Sequence, residues 1–258
     1  MPLPGSTSGS IQFPSSAQPA ESDNLLLSGR IEQGVDVLSI SANTAVNLFA
    51  RVEYKVDTEE FDFNRKILTA VGFKLRHYFS DTFVMSVGAK YENDKRFVVE
   101  RSSDGTLLFG NWFGSWQLPK DDFGEPAGRR PLAYPGLTWG ELRFPGSQDP
   151  IEESSMVLEG YVEQGVDWSN WERWGIFNFY GNLDFIADTE EIEWNNMLAV
   201  GAGIKLKKRV GNNLLLQYGF EATREHYWVT DETVDVIFAY LNWSAWWDPR
   251  AIRRDLPE

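Results

Sequence analysis

The chain has 258 residues, a formal net charge of −14, no cysteine and 11 tryptophans. That charge argues against a nucleic-acid partner, which needs basic surface to displace counterions, and against adsorption on anionic lipid through a polybasic patch. The missing cysteine excludes a disulfide framework and any thiolate ligand or nucleophile, and the chain has no apolar run long enough for a transmembrane helix.

The opening stretch, MPLPGSTSGSIQFP, has neither a basic n-region nor an apolar h-region and does not read as a signal peptide. The expectation is a chain that is not secreted, or a mature chain carrying an added Met. The first pattern along the chain is a repeat. EQGVD stands at Glu32 to Asp36 and again at Glu163 to Asp167; DTEE stands at Asp57 to Glu60 and again at Asp188 to Glu191. Both recur at one and the same offset, the interval that carries Glu32 onto Glu163 and Asp57 onto Asp188. The register holds upstream, where Gly5, Gly9 and Phe13 match Gly136, Gly140 and Phe144. It holds downstream, where Gly72, Lys74, Trp112 and Trp116 match Gly203, Lys205, Trp243 and Trp247. A gapless register implies a tandem duplication, with residues 1–131 as one copy and 132–258 as the other.

Each copy reads as a series of strands with two-residue alternation. Leu25 to Val37 is the first long one. In Ala45 to Asp57, Val46, Leu48, Ala50, Val52, Tyr54 and Val56 share one face, and Asn47, Arg51, Glu53 and Lys55 share the other. Next, Ile67, Thr69, Val71, Phe73 and Leu75 oppose Ala70, Gly72, Lys74 and Arg76. Phe83, Met85, Val87, Ala89 and Tyr91 follow, and then Thr106 to Trp116. These strands are long, where soluble strands average about five or six residues. No segment carries a helical period over helical length. The segments Pro2 to Asp23 and Leu118 to Gly136 are rich in Pro, Gly and Ser and read as linkers.

The fold class is therefore all-β, an antiparallel up-and-down β-barrel. Five long strands per copy would give 10 strands, but copies related by rotation need an even number each. Short alternating segments at Ser8 to Phe13 and Trp139 to Phe144 supply a sixth, so the expected count is 12. The alternative is a soluble β-sandwich or barrel with the apolar face inward, acting as a binding module or as a phage or surface-structure subunit. Long amphipathic strands and Trp near strand ends favour the membrane form. Gln33 and Gln164 oppose it, because both fall on the apolar face, where an unpartnered amide is costly.

From Leu25 to Trp247 the pattern resembles that of bacterial outer-membrane β-barrels as a class, without a motif that marks one family. The resemblance implies residence in a Gram-negative outer membrane, contact with lipid or detergent, and passage or binding there, with other envelope proteins or a polysaccharide as partners. The soluble or virion-associated form is the alternative location.

Candidate site residues follow from the faces. Glu32, Asp36, Glu163 and Asp167 share the polar face with Lys74, Arg76, Lys205 and Lys207. They form either a lumen held by salt bridges or a charged constriction, and a 12-strand barrel so filled is closed or narrow. Asn111, Trp112 and Trp116 recur as Asn242, Trp243 and Trp247, as a sugar-stacking platform or as an aromatic girdle. Asp57, Glu59, Asp188 and Glu190 lie in oxygen-rich turns, but their spacing is not that of a calcium loop, so no metal and no cofactor is expected. The histidines, His77 and His226, do not match between copies. No hydrolase motif accompanies them, and the expectation is a non-enzymatic protein.

Overall fold

A computed structural model describes residues 3–14, 23–61, 64–118, 133–147, 152–171 and 173–247. Much of the two linker segments, Asp62, the tail Asp248 to Glu258 and the side chain of Trp194 lie outside them.

Twelve strands make the wall. The first six are β1 (Gly5–Phe13), β2 (Leu26–Ser41), β3 (Thr44–Asp57), β4 (Lys66–Ser80), β5 (Phe83–Arg96) and β6 (Arg101–Gln117). The second six are β7 (Pro135–Phe144), β8 (Val157–Trp171), β9 (Gly175–Asp188), β10 (Met197–Val210), β11 (Leu214–Tyr227) and β12 (Glu232–Trp247). Each pairs antiparallel with its chain neighbours, and β1 pairs with β12, closing the barrel. Closure removes both sheet edges, so each strand is flanked by two hydrogen-bonded neighbours. The short segments at Ser8 and Trp139 are β1 and β7, and without them the ladder could not close.

Strand bounds keep the spacing seen in the sequence. The offset that carries Glu32 onto Glu163 also carries both ends of β3 onto those of β9, and both ends of β5 onto those of β11. It carries the β-bulge between Asp36 and Leu38 in β2 onto the one between Asp167 and Ser169 in β8.

Burial settles which face is outside. Asn47, Phe49 and Arg51 of β3 are buried, while Leu48, Val52 and Val56 are exposed. In β4, Val71, Phe73 and Leu75 are exposed while Ala70 and Lys74 are buried. Apolar side chains therefore coat the outside and charged ones fill the inside. A water-soluble barrel requires the reverse, so the soluble reading fails on this face assignment.

The short turns that join β2 to β3 and β4 to β5 lie at one end of the barrel. There the outer face carries an aromatic belt. Trp171 stacks on Phe177 at 5.6 Å, Phe79 packs by Phe83 at 5.7 Å, and the Tyr218 hydroxyl donates to the Trp174 carbonyl at 3.2 Å. Amphipathic rings are stable at a water–lipid boundary.

Candidate functional site: the lumen

Alternation sends the even residues of β2, β4 and β5 and the odd residues of β3, β6, β7 and β8 inward. All eight charged candidates meet inside, as four pairs. Lys74 bonds Glu32, and Lys205 bonds Glu163. One level along the strands, Arg76 donates to both oxygens of Asp36 at 3.1 Å, and Lys207 pairs with Asp167. Asn47 Nδ2 donates to Asp36 at 3.0 Å, and Asn178 Nδ2 donates to Asp167 at 2.7 Å. Each of these contacts among β2, β3 and β4 thus recurs among β8, β9 and β10. Each cation reaches across an intervening strand, from β4 to β2 and from β10 to β8, because tilted strands carry directly paired residues to different heights.

Other lumen residues were not singled out by sequence. Arg51, 2% exposed, lies between three carboxylates. Its Nε donates to Glu32 Oε2 at 3.1 Å, its Nη1 donates to Glu53 at 3.2 Å, and the same Nη1 stands 3.8 Å from Glu141 on β7. Lys90 holds Glu141 at 3.0 Å and Glu92 at 2.6 Å. Two aromatic contacts stand beside these pairs. Phe49 of β3 meets Phe109 of β6 edge-on at 5.8 Å, with Lys74 over the Phe49 ring. At the matching positions of the second copy, the Tyr240 hydroxyl donates to the Tyr180 hydroxyl at 2.8 Å, Tyr180 donates to Glu221 at 2.6 Å, and Lys205 lies over the Tyr180 ring.

These contacts are chords, not a plug. One runs from β2 and β3 to β6 and β7, and the other runs from β9 to β12. Between them, inward-facing side chains of β1 and β7 stay accessible. Ser8 points into the lumen from the middle of β1 and is exposed; Trp139, on β7, points in and is 40% exposed. The alternation of Trp139 with Gly140 and Glu141 already put it in phase with a lumen carboxylate, which is the signal that could have found it.

The Asn–Trp sets divide between the two faces. Asn111 and Asn242 face the lumen, while Trp112, Trp116, Trp243 and Trp247 face out, so no single platform contains both residue types. Each outward Trp lies over a glycine of the next strand. Trp112 covers Gly140, Trp116 covers Gly136, Trp243 covers Gly9 and Trp247 covers Gly5, and a Cβ at any of the four would collide with the ring. This arrangement answers the objection raised by the two glutamines. Both bulges fall beyond them, so Gln33 and Gln164 do face out. Gln164 accepts from Trp116 Nε1 at 2.9 Å and donates to the Pro135 carbonyl at 3.0 Å; Gln33 accepts from Trp247 Nε1 at 2.9 Å and donates to the Pro4 carbonyl at 3.2 Å. Partnered amides and indoles carry a much smaller penalty in an apolar setting.

The acidic turns hold themselves. Asp57 accepts from Asn24 Nδ2 at 3.1 Å and from the Phe61 amide at 3.3 Å, and Asp188 accepts from the amides of Glu190 and Ile192 and from Asn196. Among the described residues no group of three or more ligating side chains is placed to hold a metal ion. His77 and His226 point outward and bond Thr44 and Thr233 on the adjacent strands.

No family model matches the chain, and no curated protein matches it. An outer membrane channel from Pseudomonas putida F1 is 6% identical, with a TM-score of 0.47 over 95% of each chain. The KdgM porin in complex with disordered oligogalacturonate is 8% identical, covering 94% of this chain and 98% of that one, with a TM-score of 0.38. LpxR from Salmonella typhimurium is 6% identical, covering 93% and 99%, with a TM-score of 0.39. Likenesses this distant carry no argument about activity. The closed ladder, polar inside and apolar outside, is by itself the architecture of a bacterial outer-membrane β-barrel.

Proposed function

We propose that the chain is a non-enzymatic conduit of the Gram-negative outer membrane, a pore or export component with a narrow, charge-lined slot. The observation that carries this is the bracing of the lumen into two chords with Ser8 and Trp139 left accessible between them. A barrel serving only as a membrane anchor has no need of accessible side chains between its chords. The mixed-sign lining favours small or extended polar solutes over ions of one sign. Apart from the long β6–β7 connection, the turns at the end that joins β2 to β3 are shorter than the loops at the other end, which supports a periplasmic and an external side, respectively. The constant spacing of strands and bulges supports reading residues 1–131 and 132–258 as two copies of a six-strand unit.

Reconstitution into planar bilayers tests the conduit. Discrete, small conductance steps are expected. A folded, inserted barrel that passes no current at any applied potential would overturn the conduit in favour of a closed structural protein. Recovery of the native protein in the soluble fraction without detergent would remove the membrane location itself.

A further inference from the structure

Phe113, Trp139 and Tyr161 stand directly opposite one another on β6, β7 and β8. All three face the lumen. Because the strands tilt, this row climbs the wall as a stripe of rings. Trp139 stacks on Tyr161 at 5.9 Å with 17° between the planes, Phe113 is 50% exposed and Trp139 is 40% exposed. Large rings left accessible inside a barrel that pairs most of its other lumen groups need a reason.

The matching positions of the other copy carry a different row. Ser244, Ser8 and Arg30 are likewise paired across β12, β1 and β2. Five strands lie between β1 and β7 in either direction, so the two rows face each other across the lumen. One wall offers flat apolar faces. The other offers two hydroxyls and the Arg30 guanidinium, which is paired with Glu32 at 2.9 Å and whose side chain is 36% exposed.

We propose that the slot binds an uncharged, extended oligosaccharide, a reading that rests on the conduit proposed above and names its substrate class. A pyranose presents C–H groups on one face, which stack on an aromatic ring, and hydroxyls at its rim, which the opposite wall can bond. Charge selects against a polyanion. Glu159 and Glu163 flank Tyr161 on its own strand, and Asp184 is its partner on β9. Glu159 and Glu163 are each paired with a cation, Arg143 and Lys205, so the carboxylate that opposes a polyanion here is Asp184.

The test is calorimetric titration of the folded barrel with maltohexaose and with cellohexaose. The detergent is lauryldimethylamine oxide, which has no sugar headgroup. Binding of at least one of them is expected, about tenfold weaker in Trp139→Ala and nearly restored in Trp139→Phe, with hexagalacturonate bound far more weakly. Heat-modifiable migration confirms that each variant is folded. Neither neutral sugar binding, tighter binding of hexagalacturonate, or Trp139→Ala binding as the parent does would each overturn the proposal. Titration needs no current, so a barrel that conducts but does not bind defeats the substrate class alone, and a barrel that binds but never conducts defeats the conduit alone.

Discussion

Removing the Arg51 guanidinium should weaken the barrel and widen the slot together. The side chain is 1% exposed, against 11% for Glu32 and 10% for Glu141, so three charged groups share a nearly dry layer. Arg51→Ala leaves Glu32, Glu53 and Glu141 facing one another. Deleting one partner of a buried ion pair costs about 3–5 kcal/mol, because the remaining charge stays desolvated. Glu32 keeps Lys74, Glu141 keeps Lys90, and Glu53 is 36% exposed, so water can take over part of its solvation. The lower end, about 3 kcal/mol, is therefore expected. With a urea slope of about 3 kcal/mol per molar for a chain of this size, the unfolding midpoint should fall by about 1 M. Conductance should rise, because the chord from Glu32 to Glu141 is cut, and cation preference should rise, because the layer loses one positive charge. Adding Glu141→Gln should recover part of the midpoint. Urea titration in vesicles and bilayer recording of the same preparation measure both effects. An unchanged midpoint with unchanged conductance would refute the view that Arg51 braces the lumen.

Val71, 58% exposed on the outer face of β4, tests what surrounds the barrel. Val71→Arg should cost about 2–4 kcal/mol in vesicle unfolding if lipid covers this face, against about 0.5 kcal/mol or less on a wet surface, and the small value would sink the membrane assignment. Gln164→Ala leaves the Trp116 indole without its acceptor. A loss of about 1 kcal/mol is expected, together with a shift of tryptophan emission. Gly136→Val should cost more than Gln164→Ala, since the new side chain displaces the Trp116 ring; the opposite order would show that the ring does not lie across the glycine.

Strand alternation was legible along the chain because its period is two whichever way the barrel faces. The constant register between the copies and the parity argument together led to twelve strands, and the pairing of the Glu32 and Asp36 rows with Lys74 and Arg76 was implied by their shared face. Strand length and Trp near the strand ends favoured the apolar face outside without deciding it, because an amphipathic strand has the same pattern in a soluble barrel as in a membrane one. Only the burial of Arg51 and Lys74, with Val71 exposed, decides between them. The acceptors for the Trp116 and Trp247 indoles were invisible for a different reason. Trp116 and Gln164 lie 48 residues apart and meet because β6, β7 and β8 pair in turn, while Trp247 and Gln33 lie 214 apart and meet only because β12 closes onto β1. The opposition of the two lumen rows is a tertiary fact as well. The copies differ at Phe113 against Ser244, Trp139 against Ser8 and Tyr161 against Arg30, but comparing sequences shows only that they differ. That these rows face each other follows from closing twelve strands into a ring, which puts strands six apart on opposite walls.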